Sequence, residues 1–149
     1  MYSKIICAVD GSDLSTKALR HAIELAARLG AQLTTVTVTE PSVIVAPGAE
    51  MIMVDTSTIL DNLEQAKAES AKKVLADAEV LTAGAGLTAH GLHIAGKPPA
   101  EGIQEAARTQ QADLIVMGSH GRRGLGRLLL GSQASEVLAH SDIPVLIVK

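Results

Sequence analysis

Glycines, a serine and arginines in residues 118–132 have the types and spacing of an anion-binding loop. The stretch reads Gly-Ser-His-Gly-Arg-Arg-Gly-Leu-Gly-Arg-Leu-Leu-Leu-Gly-Ser and follows an apolar run, 114–117, that predicts a buried parallel strand. A helical pattern follows it. Because glycine lacks a Cβ, backbone N–H groups in such a turn can converge on a phosphate. The residues therefore indicate a phosphate site, and a nucleotide is its natural ligand.

Two common phosphate motifs are absent from this loop. In residues 126–132 the spacing approaches a Walker A motif, but Ser132 stands where the phosphate-binding lysine is required. No Gly-x-Gly-x-x-Gly occurs in the chain, which excludes the dinucleotide fingerprint. What remains is Gly-x2-Gly-x9-Gly-Ser, formed by Gly118, Gly121, Gly131 and Ser132. Arg122, Arg123 and Arg127 either screen phosphates or are solvated loop charges.

Strands and helices alternate along the chain. Strands are predicted at 4–9, 33–39, 87–94, 113–117 and 143–148, and helices at about 14–29, 60–81, 99–107 and 131–140. Ser12 is a predicted N-cap, Gly30 ends the first helix, and Pro144 marks the last strand as a sheet edge. Residues 41–57 lack clear periodicity and are predicted to be a packed loop, a subunit contact or a lid.

This alternation predicts one α/β domain over residues 1–149, with a five-stranded parallel sheet and helices on both faces. In such sheets ligands bind beyond the carboxyl ends of the strands, at a topological switch point. Asp10 ends the first strand and Gly118 the fourth. They share a site if those two strands are neighbours there.

Composition removes several classes of function. Tyr2 is the only aromatic residue, so the chain lacks the stacking platforms of single-stranded nucleic-acid binders, and a formal charge of −3 gives no basic field for DNA or RNA. No apolar run reaches membrane-spanning length, and no signal peptide is apparent, so a cytoplasmic location is expected. Cys7 is the sole cysteine and is predicted to be buried and inert.

Other chemistry-bearing residues form no catalytic pattern. His90 and His93 point to opposite faces of a strand, which disfavours a shared metal. His120 lies in the glycine loop, where a backbone role is favoured over a side-chain contact. The sequence has no Gly-x-Ser-x-Gly elbow, no His-Glu-x-x-His and no close Cys/His pair. No dedicated general base is apparent.

The glycine spacing resembles the nucleotide-binding signature of the universal stress protein family, in its ATP-binding branch. The resemblance extends to the opening, Ile-Ile-Cys-Ala-Val-Asp-Gly-Ser at 5–12, and to the ending, Pro-Val-Leu-Ile-Val at 144–148. It implies the adenine nucleotide alpha hydrolase-like fold, with strand order 3-2-1-4-5. The switch point then lies between strands 1 and 4.

The resemblance also implies roles for individual residues. Asp10 would face the adenine or ribose, Val38 would offer backbone groups to the base, and Gly118 and Gly121 would admit the ribose and α-phosphate. Gly131 and Ser132 would bind the β- and γ-phosphates. The other predicted ligand-binding residues are Met117 and Gln133, together with Arg122 and Arg123 if these arginines screen the phosphates. The ligand would be ATP, or ADP or AMP, with Mg²⁺ or Mn²⁺.

Three functions remain open at this point. The first is an ATP-binding stress-response or signalling module that changes its partners with nucleotide state, as a homodimer through the C-terminal strand. The second is a slow ATPase, or a phosphoryl or adenylyl transferase, on the same site. The third is an interaction protein in which the loop is only structural.

Overall fold

The computed structural model describes residues 1–44, 56–122 and 129–149. Five strands alternate with four helices along the chain. The strands are β1 (Lys4–Ala8), β2 (Gln32–Thr39), β3 (Ala89–Ala95), β4 (Leu114–Gly118) and β5 (Val145–Val148). The helices are α1 (Asp13–Leu29), α2 (Thr56–Gly84), α3 (Pro99–Thr109) and α4 (Ser132–His140).

All strand pairs are parallel, and the sheet order is β3-β2-β1-β4-β5. The predicted fold class and strand order are confirmed. The order reverses at β1, whose neighbours are β2 and β4. That point is the topological switch where ligands bind in sheets of this kind.

Two cores cover the two faces of the sheet. Ile5 and Cys7 of β1 face the side packed by α1 and α2, whereas Ile6 faces α3 and α4. Without large aromatic residues, the helices approach the sheet through small side chains. One close approach is at Gly102 of α3, where a Cβ would lie 2.6 Å from Cγ1 of Val38.

Cys7 is fully buried, and burial raises the pKa of its thiol to about 12. The predicted inert thiol is therefore confirmed, because the nucleophilic thiolate is strongly disfavoured at neutral pH.

The structure confirms both predicted ends of α1. The Ser12 hydroxyl accepts a hydrogen bond from the Ser15 N–H at 3.2 Å, and Gly30 adopts φ 64° at the C-terminus. Because only glycine takes that left-handed conformation without strain, α1 ends there.

Other boundaries differ from the predictions. Helix α2 begins at Thr56, four residues before the predicted start, and Leu63 is 43% exposed rather than inward-facing. Strand β3 begins at Ala89 instead of 87, and β5 at Val145 instead of 143. Most of the 41–57 connection, residues 45–55, lies outside the described residues. Within the described ranges, no helix is both long and apolar enough to cross a membrane.

Candidate functional site

The general rule for parallel sheets places the ligand crevice above β1, because this strand lies at the switch point and stops short of β2. The last β1–β2 pair is Ala8 with Val36, and β2 continues to Thr39, about 10 Å further. The Val36 carbonyl accepts from the Val9 N–H at 2.8 Å on the β1 side, whereas the Thr39 carbonyl accepts from Gly96 on the β3 side. Since backbone groups alternate along a strand, those of Val38 point over the end of β1.

Strand β4 presents Gly118 to the same crevice from the other side. The Ser119 N–H donates to the Val148 carbonyl of β5 at 2.8 Å, so the backbone groups of the preceding Gly118 point toward β1. A Cβ at this position would lie 3.2 Å from Cβ of Leu14, so a larger residue would need α1 to shift by a few tenths of an ångström. The residue thus ends β4 at the crevice and lets α1 approach.

Asp10 joins the two loops that border the crevice. Its Oδ1 accepts from the Ser12 N–H at 2.9 Å within the β1–α1 turn. Its Oδ2 accepts from the Arg122 N–H at 3.0 Å, across the crevice. The fold thus brings together the predicted site residues Asp10 and Arg122. The Asp10 carboxylate accepts from the backbone N–H of Arg122 rather than from its guanidinium.

Two glycines lie where the Asp10 and Arg122 side chains approach the opposite loop. A Cβ on Gly121 would lie 3.1 Å from Oδ2 of Asp10. A Cβ on Gly11, which has φ 81°, would lie 2.9 Å from Nη2 of Arg122. The Arg122 side chain therefore lies against the β1–α1 turn. No local signal in the sequence around Gly11 identifies its contact with Arg122.

The N-terminus of α4 forms the far end of the site. Gly131 is its N-cap, with φ −71° and ψ 162°, and no side chain of the described residues caps the helix. The Gly131 N–H donates to the Ser119 carbonyl at 2.7 Å, and a Cβ on Gly131 would lie 2.9 Å from that oxygen. Ser132 is exposed at the first helical position. The first-turn N–H groups and the helix dipole are consequently available to an anion.

Two predicted site residues have their side chains elsewhere. Met117 is 6% exposed and packs in the core with Ala134 and Val137. Gln133 is turned toward α3, where its Oε1 accepts from the Ala100 N–H at 2.9 Å. This contact engages Oε1, whereas the Gln133 backbone N–H lies in the first turn of α4.

The remaining loop residues are only partly described. Arg123 and Arg127 lie outside the described residues. The Nδ1 of His120 pairs with the Ser119 hydroxyl at 3.1 Å, and its buried Nε2 has no partner among the described residues. In that part of the chain, no three His, Cys, Asp or Glu side chains cluster as metal ligands.

Comparison with known proteins identifies the family. A sequence model of the universal stress protein family matches residues 1–149. A universal stress protein of Methanocaldococcus jannaschii is 38% identical over 149 residues, covering all of this chain and 83% of that protein.

Two solved structures share the fold. The universal stress protein UspA from Lactobacillus plantarum has a TM-score of 0.85 at 27% identity, covering 99% of this chain and 98% of that chain. The universal stress protein from Archaeoglobus fulgidus in complex with dAMP has a TM-score of 0.67 at 27% identity, with 99% and 98% covered. The chain therefore belongs to the universal stress protein family.

Proposed function

We propose that this protein binds ATP, with a divalent cation, in the crevice above β1, and acts as a nucleotide-dependent stress-response module. The observation that carries the proposal is the early end of β1 between β2 and β4. It leaves the backbone groups of Val38 and Gly118 pointing into one crevice, which continues to the uncapped N-terminus of α4. The Archaeoglobus relative solved with dAMP supports an adenine nucleotide as the ligand class.

The adenosine would lie at the β2 end of the crevice. A backbone N–H and C=O on one side of a strand match the adjacent acceptor and donor on an edge of adenine. Val38 offers such a pair. Each Asp10 oxygen accepts one backbone N–H and keeps a second lone pair, which a ribose hydroxyl could use.

The phosphates would lie toward α4. Gly131 has no Cβ, and its backbone lies against the Ser119 carbonyl. Ser132 adds a hydroxyl and an N–H at the positive end of the helix. Mg²⁺ or Mn²⁺ would accompany the phosphate oxygens and offset their charge. Arg122, with its side chain at the crevice, adds further positive charge. The chain is also proposed to dimerise through the open edge of β5.

The proposal is tested by identifying the bound nucleotide. Protein purified without added nucleotide is denatured, and the supernatant is resolved by anion exchange. We expect an adenine nucleotide in the supernatant. After the nucleotide is removed from the protein, calorimetry should detect binding of ATP with Mg²⁺ and much weaker binding of GTP. No retained nucleotide, together with no heat and no thermal shift with millimolar ATP, would contradict the proposal.

Substitutions at α4 locate the phosphates. Ser132→Ala should weaken ATP binding about 10- to 150-fold, the value of one lost hydrogen bond to a charged group, and AMP binding much less. Ser135→Ala is the matched control, because Ser135 is an exposed serine one turn further along the same helix. Steady multiple-turnover phosphate release would instead favour the enzymatic alternative.

A further inference from the structure

We propose that Asp10 is a positioning residue for the phosphate half of the site, because it fastens the β4–α4 loop onto the β1–α1 turn. The inference rests on the nucleotide site proposed above and adds a role for this carboxylate beyond contact with the adenosine. We call the four residues Asp10, Gly11, Gly121 and Arg122 the clasp.

The hydrogen bonds of Asp10 establish the connection. One carboxylate oxygen accepts from Ser12 at 2.9 Å and fixes the carboxylate within its own turn. The other accepts from the Arg122 N–H at 3.0 Å, 112 positions along the sequence. Both oxygens thus hold backbone rather than side chains, and they define where Arg122 lies relative to the end of β1.

The contact is reciprocal. Gly121 makes room for Oδ2 of Asp10, because a Cβ there would lie 3.1 Å from that oxygen. Gly11 makes room for the Arg122 guanidinium, because a Cβ there would lie 2.9 Å from Nη2. Each loop therefore carries a glycine where the side chain of the other loop arrives. The clasp holds Gly121 and Arg122 against the β1–α1 turn, and the preceding Ser119 carbonyl accepts from the Gly131 N–H at the start of α4 at 2.7 Å.

The negative charge of Asp10 distinguishes two roles for this residue, because they predict opposite changes in phosphate affinity when the carboxylate is removed. A carboxylate beside an anion site repels phosphate, so removing it strengthens phosphate binding if charge is its only effect. If Asp10 instead holds the loop in place, its removal disorders the phosphate half and weakens phosphate binding. A ligand without adenosine separates these effects from any contact with the ribose.

The experiment measures inorganic tripolyphosphate with Mg²⁺ by calorimetry, in parallel with ATP. Asp10→Ala and Asp10→Asn should each weaken tripolyphosphate binding by about tenfold, since an amide nitrogen cannot accept from Arg122. Asp10→Asn keeps an oxygen that accepts from the Ser12 N–H, so it replaces the alanine variant in this experiment if that variant does not fold. Asp13→Ala is the matched control, because it removes an exposed carboxylate at the start of α1 and should leave binding unchanged or slightly tighter.

A second measurement does not depend on any ligand. Hydrogen exchange of the Arg122 amide should be slow in the wild type and at least tenfold faster in Asp10→Asn, with thermal unfolding still cooperative. Unchanged exchange, or tripolyphosphate binding that stays equal or tightens while ATP weakens, would overturn the inference. If the wild type binds neither ligand, the proposed function fails, whereas the exchange measurement still decides whether the clasp exists.

Discussion

At the scale of single residues, Asp113 ties the starts of two central strands together. Its Oδ2 accepts from the Ser3 N–H and from the Ser3 hydroxyl, both at 2.8 Å, and its Oδ1 accepts from the Lys4 N–H at 3.0 Å. Partial burial acts to raise the pKa of this carboxyl, but these hydrogen bonds outweigh burial and lower the pKa below its ordinary value of 3.8. Asp113 therefore fastens β1 to β4 at the edge opposite the crevice.

Replacing Asp113 should cost stability in a pH-dependent way. We expect Asp113→Ala to lower the free energy of unfolding by about 1–3 kcal/mol at pH 7, since three donors lose one charged acceptor. The pKa is lower in the folded state, so the stabilisation is complete above the unfolded-state pKa of 3.8 and is lost as the pH falls through the folded-state value. Urea unfolding from pH 7 to pH 3 should show the gap between wild type and variant closing.

The control for this experiment is Asp142→Ala, which removes an exposed carboxylate from the α4–β5 turn. Its effect should stay within about 0.5 kcal/mol at every pH. If the difference in the free energy of unfolding between wild type and Asp113→Ala stays constant with pH, the assigned hydrogen bonds are contradicted.

At the scale of elements, α3 begins with help from another helix. Its N-cap residue is Pro98, which offers no side-chain acceptor, and Pro99 follows in the first turn. The Ala100 N–H donates to Oε1 of Gln133, which projects from the first turn of α4. The two helices therefore meet at their N-termini, next to the proposed phosphate site.

Removing this cap should weaken α3. Gln133→Ala is expected to lower the free energy of unfolding by about 1 kcal/mol, the usual value of an N-terminal cap. Gln133→Glu should retain most of it, because a carboxylate oxygen still accepts and its charge suits a helix N-terminus. Both are measured by urea unfolding without nucleotide. Equal losses in the two variants would show that the contact with Ala100 contributes nothing.

What the sequence predicts well is local. Ser12 and Gly30 are recognised because a cap and a left-handed glycine act within a few residues of the helix they end. The contacts of Gln133 with Ala100 and of Asp10 with Arg122 join segments far apart in sequence. Side-chain type alone does not specify such partners, so the sequence does not predict these contacts, and the ligand-binding role of Gln133 stays a prediction.

The same reasoning explains the mixed outcome at β4. Its apolar run correctly predicted a buried strand, since every residue of Leu114–Gly118 is buried. The role of each backbone group depends on which neighbour it faces, and that depends on strand order. The Met117 side chain packs in the core against α4, and the predicted contact of Met117 with a ligand stays a prediction for its backbone.

At the scale of the whole molecule, alternation in the sequence predicted a parallel sheet, whereas the strand order came from family resemblance. The order matters for the proposed function, because it places the short β1 between β2 and β4, where the nucleotide is proposed to bind. It also leaves β5 at one edge of the sheet. The Pro144 and Val148 carbonyls accept from β4, so the backbone groups of Val145 and Ile147 point outward.

An outward edge of this kind allows a second copy to pair with it, which is the basis for the proposed homodimer. Ile147→Pro removes one outward N–H and leaves the N–H groups that face β4 in place. We therefore expect the wild type to sediment as a dimer at tens of micromolar and Ile147→Pro to sediment as a folded monomer. Ile147→Ala loses the partly buried side chain but keeps the N–H, so it should remain dimeric. A monomeric wild type, or a proline variant that still dimerises, would show that β5 is not the interface.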